Sequence, residues 1–136
     1  MISSENVILK KLEIKSLAEK YDLDLVVLFG SVAKDRAIKE SDIDIGVYKK
    51  SSDSYDLRIK MIREFSGIFR TDNVDVQIIT SNSPVLMYNI LKGKLLYEKK
   101  AGTFDRMKLY SWKLMAESKS FRDEHYEKLK NKILTT

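Results

Sequence analysis

The chain turns on Leu23-Asp24-Leu25-Val26-Val27-Leu28-Phe29-Gly30-Ser31, followed after ten residues by Asp42-Ile43-Asp44-Ile45-Gly46-Val47-Tyr48. The first run is too short for a helix and too continuously apolar for a half-exposed strand, so it reads as a central strand covered on both faces. It stops at Gly30-Ser31, and the composition from Val32 to Lys39 is helical. The second run alternates: Ile43, Ile45 and Val47 point to one face, Asp42 and Asp44 to the other.

Working outward, a cap at Ser3 or Ser4 and the spacing of Ile8, Leu9, Leu12, Leu17 and Tyr21 predict one entry helix to about Lys20. Downstream, Ser51-Ser52-Asp53-Ser54 is a loop rich in N-cap residues. Tyr55, Ile59, Ile62, Phe65 and Phe69 then mark an amphipathic helix over one side of the sheet. Thr71-Asp72-Asn73 turns into a third strand, Val74 to Ile79, with Val74, Val76 and Ile78 on one side and Asp75 and Gln77 on the other. Ser83-Pro84 starts a helix and Lys92-Gly93 stops it, with Leu95-Leu96-Tyr97 a short further strand. Thr103 is expected to cap a long last helix. Its apolar members Phe104, Met107, Leu114, Met115, Phe121, Leu129 and Ile133 span more length than a small domain buries.

Carboxylates two apart on a strand emerge on one face about 7 Å apart at the backbone, close enough for their oxygens to converge on divalent cations. Asp75 joins Asp42 and Asp44 if its strand is their neighbour. Hard oxygen ligands without His or Cys select Mg²⁺ or Mn²⁺ over Zn²⁺. Two such ions roughly 3.5–4 Å apart hold the attacking and leaving oxygens of an in-line displacement at phosphorus. The Gly30-Ser31 turn, opening a helix after a strand, offers backbone N–H groups and a hydroxyl to a phosphate.

In this order, strand, Gly-Ser, ten residues, Ser-Asp-Ile-Asp-Ile and a later strand Asp, the chain resembles the nucleotidyltransferase superfamily related to DNA polymerase β, in its minimal single-domain form. Within it, the chain looks most like the minimal nucleotidyltransferase antitoxins paired with HEPN-domain ribonuclease toxins. The resemblance implies an α+β, polymerase β-like palm fold: a small mixed sheet flanked by helices, with a long C-terminal helix. It divides the chain into a nucleotidyltransferase domain, residues 1–98, and a helix, 99–136, for a partner or dimer contact. It implies that Gly30 and Ser31 hold the triphosphate of ATP and that Asp42 and Asp44 bind two Mg²⁺ ions. Asp75 would bind the catalytic ion and help deprotonate the attacking hydroxyl, with pyrophosphate leaving. Two positions depart from the family pattern. Val32 stands where an aromatic residue or Arg is common, and Asp35 where Gly is common, which puts a carboxylate near the triphosphate.

The implied activity is AMP transfer from ATP to a hydroxyl, a Tyr, of a HEPN ribonuclease toxin, in a type VII toxin–antitoxin pair. Three other readings compete. One is a binding-only antitoxin with a vestigial site, against which the complete set of three carboxylates argues. Another is an aminoglycoside-type small-molecule nucleotidyltransferase, which would need a homodimer to build its acceptor cleft. The last is nucleic-acid binding through the basic tail.

The net charge of +5 sits mostly in residues 98–136, which carry ten Lys or Arg against six Asp or Glu. Those cations are interleaved with Glu117, Asp123, Glu124 and Glu127, so the tail reads as a solvated helix face rather than a nucleic-acid stripe. Lys34, Arg36 and Lys39 read as surface charges, and Lys92 and Lys94 as complements to a helix C-terminus. His125, the single histidine, has no partner at hydrolase spacing. Tyr110, Trp112 and Tyr126 are packing residues or interface anchors. The 136 residues include no cysteine, which excludes a disulfide scaffold, a thiolate zinc site and a Cys nucleophile. With no signal peptide and no run of about 20 apolar residues, a cytoplasmic protein without a membrane span is expected.

Overall fold

The structure is a computed structural model that describes residues 4–34, 42–50 and 54–134. Its elements in chain order are α1 (Ser4–Ile8), α2 (Lys11–Lys20), β1 (Leu25–Phe29), α3 (Gly30–Ala33), β2 (Ile43–Tyr48), α4 (Ser54–Phe69), β3 (Val74–Ile78), α5 (Pro84–Leu91), β4 (Lys94–Glu98) and α6 (Thr103–Leu134). The strands form one mixed sheet in the order β3-β2-β1-β4. β1 runs antiparallel to both its neighbours, while β2 and β3 are parallel. This is the expected α+β architecture, with β1 interior to the sheet as its unbroken apolar run requires.

Alternation in β2 and β3 divides the sheet into two unlike faces. Ile43, Ile45, Val47, Val74 and Val76 pack with Val26, Leu28 and Leu96 under α2 and α4, where Leu17, Met61 and Phe65 close the main core. On the other face Leu25, Val27 and Ile79 meet Met87, Ile90 and Leu91 of α5, with Phe104, Met107 and Leu114 of α6 against them. Gly46 lets α5 come down onto β2: a Cβ there would lie 2.3 Å from Ile90 Cγ2. The opposite end of this second face is left to Asp44 and Asp75.

Several expectations are corrected. The entry helix is two helices, because a turn at Leu9-Lys10 interrupts it, with the Lys10 N–H tightened onto the Val7 carbonyl. The core takes Val7, Ile14, Leu17 and Ala18, while Leu9 and Leu12 stand in solvent at 78% and 81% exposure. The second helix ends where expected. Asp22 takes the left-handed conformation (φ 55°), and the N–H of buried Leu23 returns to the Ala18 carbonyl.

Of the stripe expected on α4, Phe65 is buried and Ile62 and Phe69 pack against the core, while Ile59 faces out; Leu57 and Met61, outside that stripe, are buried with Phe65. Thr103 does not cap α6 with its side chain. Its hydroxyl donates to the Lys100 carbonyl at 2.8 Å, and the Glu98 carboxylate instead receives the Gly102 and Phe104 N–H groups at 3.2 and 3.0 Å.

The helix expected to run to Lys39 is described only to Ala33. Asp35, Arg36 and Lys39, the 51–53 part of the loop, and the side chains of Tyr55, Phe121, His125, Tyr126 and Leu129 lie outside the described residues. Among the described residues no helix is long and apolar enough to cross a membrane.

Candidate active site

Strand register assembles the site. Phe29, the last residue of β1, pairs with Asp44 of β2, so Gly30 follows directly beside the Asp44 side chain. Gly30 has φ +75°, and a Cβ built on it would lie 2.2 Å from Asp44 Oδ2. Both the backbone conformation and the contact therefore require glycine. Ser31 follows, half-buried, in the short α3. On the other side of β2, Asp44 is in register with Asp75 of the parallel strand β3. Adjacent strands lie about 4.8 Å apart, so the two carboxylates are side by side on one face. Asp42 precedes β2 by one residue and is exposed.

These charges act on one another. Burial first, then the charges of Asp75 and Asp42, push the Asp44 carboxyl up to about 6. Among the described residues Asp44 has no ion-pair partner, whereas Asp75 is well held. Asp75 Oδ1 accepts from Arg58 Nη2 at 2.9 Å and from the Val76 N–H at 3.0 Å, and its Oδ2 accepts from Gln77 Nε2 at 3.1 Å. Arg58 Nε also donates to the Val76 carbonyl at 2.7 Å, fixing the guanidinium against the outer edge of β3.

Among the described residues no three acidic or histidine side chains are gathered into a ready metal cluster. The donor chemistry nevertheless fits a hard divalent cation. The donors are all oxygen, and a half-buried carboxylate is repelled by two others.

Sequence reasoning placed Asp42, Asp44 and Asp75 on one face and left open whether the strands adjoin; they do. It did not find Arg58, whose relation to Asp75 depends on how α4 is docked. Gln77 was legible as lying on the face of Asp75 but carried no chemical signal of its own. Lys92 and Lys94, read as dipole complements, line a cleft of about 200 Å³ with Gly30, Lys34 and Asn89. The Lys92 ammonium also lies 4.4 Å from the Tyr88 ring centroid.

Residues 12–102 match the family model described as polymerase beta nucleotidyltransferase. The chain belongs to this family. Solved structures of similar fold include a chain of a toxin–antitoxin complex with AMP-PNP, 20% identical with a TM-score of 0.73, covering 88% of this chain and 97% of that one. A chain of the MntA–HepT toxin–antitoxin complex is 20% identical with a TM-score of 0.68, covering 89% and 97%. A chain of the complex of tri-AMPylated Shewanella oneidensis HEPN toxin with MNT antitoxin is 19% identical with a TM-score of 0.68, covering 89% and 96%. At these identities the likeness shows the fold of this nucleotidyltransferase. Among curated proteins no match is found.

Proposed function

We propose that this nucleotidyltransferase transfers AMP from ATP to a hydroxyl, a tyrosine's, of a cognate HEPN ribonuclease toxin, in a Mg²⁺-dependent reaction that makes it the antitoxin of the pair. The observation that carries the reading is the apposition of Gly30 to Asp44 with Asp75 in register beside it. A glycine turn suited to a phosphate and a half-buried Asp44 without an ion-pair partner among the described residues thus meet at one point, with the Arg58-held Asp75 beside them. The folds it resembles, found in toxin–antitoxin complexes with AMP-PNP and with a tri-AMPylated toxin, support the same direction.

In this reading Gly30 and Ser31 hold the triphosphate through backbone N–H groups and the Ser31 hydroxyl. Lys34, Lys92 and Lys94, around the cleft beside Gly30, draw its terminal phosphates. Asp42 and Asp44 would hold both ions and Asp75 one of them. Bound Mg²⁺ supplies charge neutralisation at the phosphates and polarises the α-phosphate. The acceptor oxygen forms a bond to the α-phosphorus, the bond to the β-phosphate oxygen breaks, and pyrophosphate departs with the electron pair. The acceptor proton passes to Asp75, which Arg58 and Gln77 keep in place. The work of the protein is positioning and charge stabilisation.

The long last helix serves the partner. Its first turns pack on the core through Phe104 and Met107, yet Leu109, Tyr110 and Trp112 remain 65%, 49% and 58% exposed. We assign residues 1–98 to catalysis and 99–136 to this contact. The cytoplasm is the compartment such a pair would share.

The test is intact-mass spectrometry of the partner after incubation with ATP and Mg²⁺. Gain of one or more AMP masses with the wild-type protein and none with the Asp42→Asn, Asp44→Asn double variant is expected. No gain with a tight complex still formed would leave a binding-only antitoxin, in which Arg58 has permanently claimed Asp75.

A further inference from the structure

Beside the carboxylate face lies a larger cleft, of about 630 Å³, that the reading above does not use. It lies at the C-terminal end of the parallel strands β2 and β3, lined by Arg58, Gln77 and the loop at Thr80 and, from the end of β2, by Tyr48, Lys49 and Lys50. Two features connect it to the chemistry. Arg58 and Gln77 line it, and these are the two side chains that hydrogen-bond the Asp75 carboxylate. Two lining side chains of the cleft thus reach the Asp75 carboxylate, which is not itself in the lining, and from Asp75 to Thr80 is about 16 Å of strand.

Its described lining carries the cations Lys49, Lys50 and Arg58 and no carboxylate. The Arg58 charge is met by Asp75 at 2.9 Å, which leaves Lys49 and Lys50 to set the cleft's sign beside the acidic site of Asp42, Asp44 and Asp75. The two lysines favour an anionic ligand. Its polar groups are amides and hydroxyls, of Gln77, Thr80 and Asn82, over an apolar floor of Ile78, Ile79 and Leu86. Such a lining suits a peptide backbone. A single strand of nucleic acid is held by successive aromatic platforms, and among the described lining residues Tyr48 alone is aromatic. Nor is the edge of β3 open to strand addition at Val76, whose N–H and carbonyl are taken by Asp75 Oδ1 and Arg58 Nε. The segment must lie in the cleft rather than extend the sheet.

We propose that this cleft docks the acceptor as an extended acidic peptide segment and so delivers its hydroxyl to Asp75. The proposal rests on the nucleotidyl-transfer reading for the direction of delivery, and the binding itself is measurable without transfer.

The experiment is fluorescence anisotropy with a labelled Asp-Glu-Tyr-Glu-Asp peptide, its Gln-Gln-Tyr-Gln-Gln counterpart and a short single-stranded RNA. The full chain is used as wild type, as Lys49→Glu with Lys50→Glu, as Lys49→Ser with Lys50→Ser, and as Asp42→Asn with Asp44→Asn. The Lys50 backbone N–H, bound to Asp24 Oδ2 at 2.9 Å, is untouched by these changes, and the serine pair serves if charge reversal prevents folding. The acidic peptide is expected to bind about tenfold more weakly to the lysine variants than to wild type. It should keep or gain affinity when Asp42 and Asp44 are neutralised, whether or not AMP transfer occurs. Equal binding to wild type and both lysine variants, or equal binding of acidic and neutral peptides, would overturn the proposal. Tighter, lysine-dependent binding of the RNA would overturn it in favour of a nucleic-acid groove.

Discussion

Gly30, just past the end of β1, and Gly46, within β2, are two places where a missing Cβ admits a neighbour, and the neighbours are opposite in kind. At Gly46 the space is filled by Ile90 of α5, at Gly30 by the carboxylate of Asp44. The first contact joins apolar groups and contributes to the core. The second half-buries a charge beside two like charges, and burial first, then those charges, raise Asp44 to about 6. One end of the face is arranged for stability and the other against it. Groups held at such a cost, with no folding role to justify them, are what a site for a cation and a phosphate would be built from.

Breaking the costly end should show the largest effect. Asp44→Asn is expected to lower AMP transfer by about 1,000-fold, measured by intact-mass time courses, on the scale seen when a charge-stabilising group is removed from an active site. The same variant should be more stable than wild type without metal. Gly30→Ala must take φ +75° and place a Cβ 2.2 Å from Asp44 Oδ2, so denaturant melts should show a loss of about 3 kcal/mol along with loss of transfer. Gly46→Ala meets only the Ile90 methyl at 2.3 Å, with no left-handed backbone to sustain. A loss of about 1–2 kcal/mol is expected, with transfer by the folded fraction unchanged.

The smallest effect is the pH dependence. The folded Asp44 carboxyl ionises near 6 and the unfolded one near 3.8. Stability contributed by the protonated group is therefore full below about pH 4 and is lost as pH rises through 6. The carboxyl is only half-buried, so solvent screening reduces the effect to about 1 kcal/mol. Urea melts in EDTA at pH 4.5 and 7 should show this loss in wild type and not in Asp44→Asn.

The same comparison explains what could be read from the chain. Alternation in 42–48 and 74–78 made both strands and the three acidic residues legible, because a period of two leaves few choices about which side chains share a face. The glycine after Phe29 was legible as a turn. What the pattern lacked was docking: it found Phe65, Ile62 and Phe69 of α4, but only contact with the sheet adds Leu57 and Met61 and leaves Ile59 outside. Arg58 reached Asp75 through that same docking. The capping of α6 by Glu98, four and six residues before the N–H groups it receives, depends on β4 turning into the helix, which no local cap signal encodes. The basic cleft beyond Asp75 draws on β2, α4, β3 and α5 at once.

The central claim is that the Gly30–Asp44–Asp75 corner moves a nucleotidyl group. It is tested most directly with ATP labelled either at the α- or at the γ-phosphate, incubated with Mg²⁺, the partner protein and this chain. The account predicts that only the α-label enters the partner, and that Asp42→Asn with Asp44→Asn abolishes it. Incorporation of the γ-label, or equal α-labelling by that double variant, would contradict it.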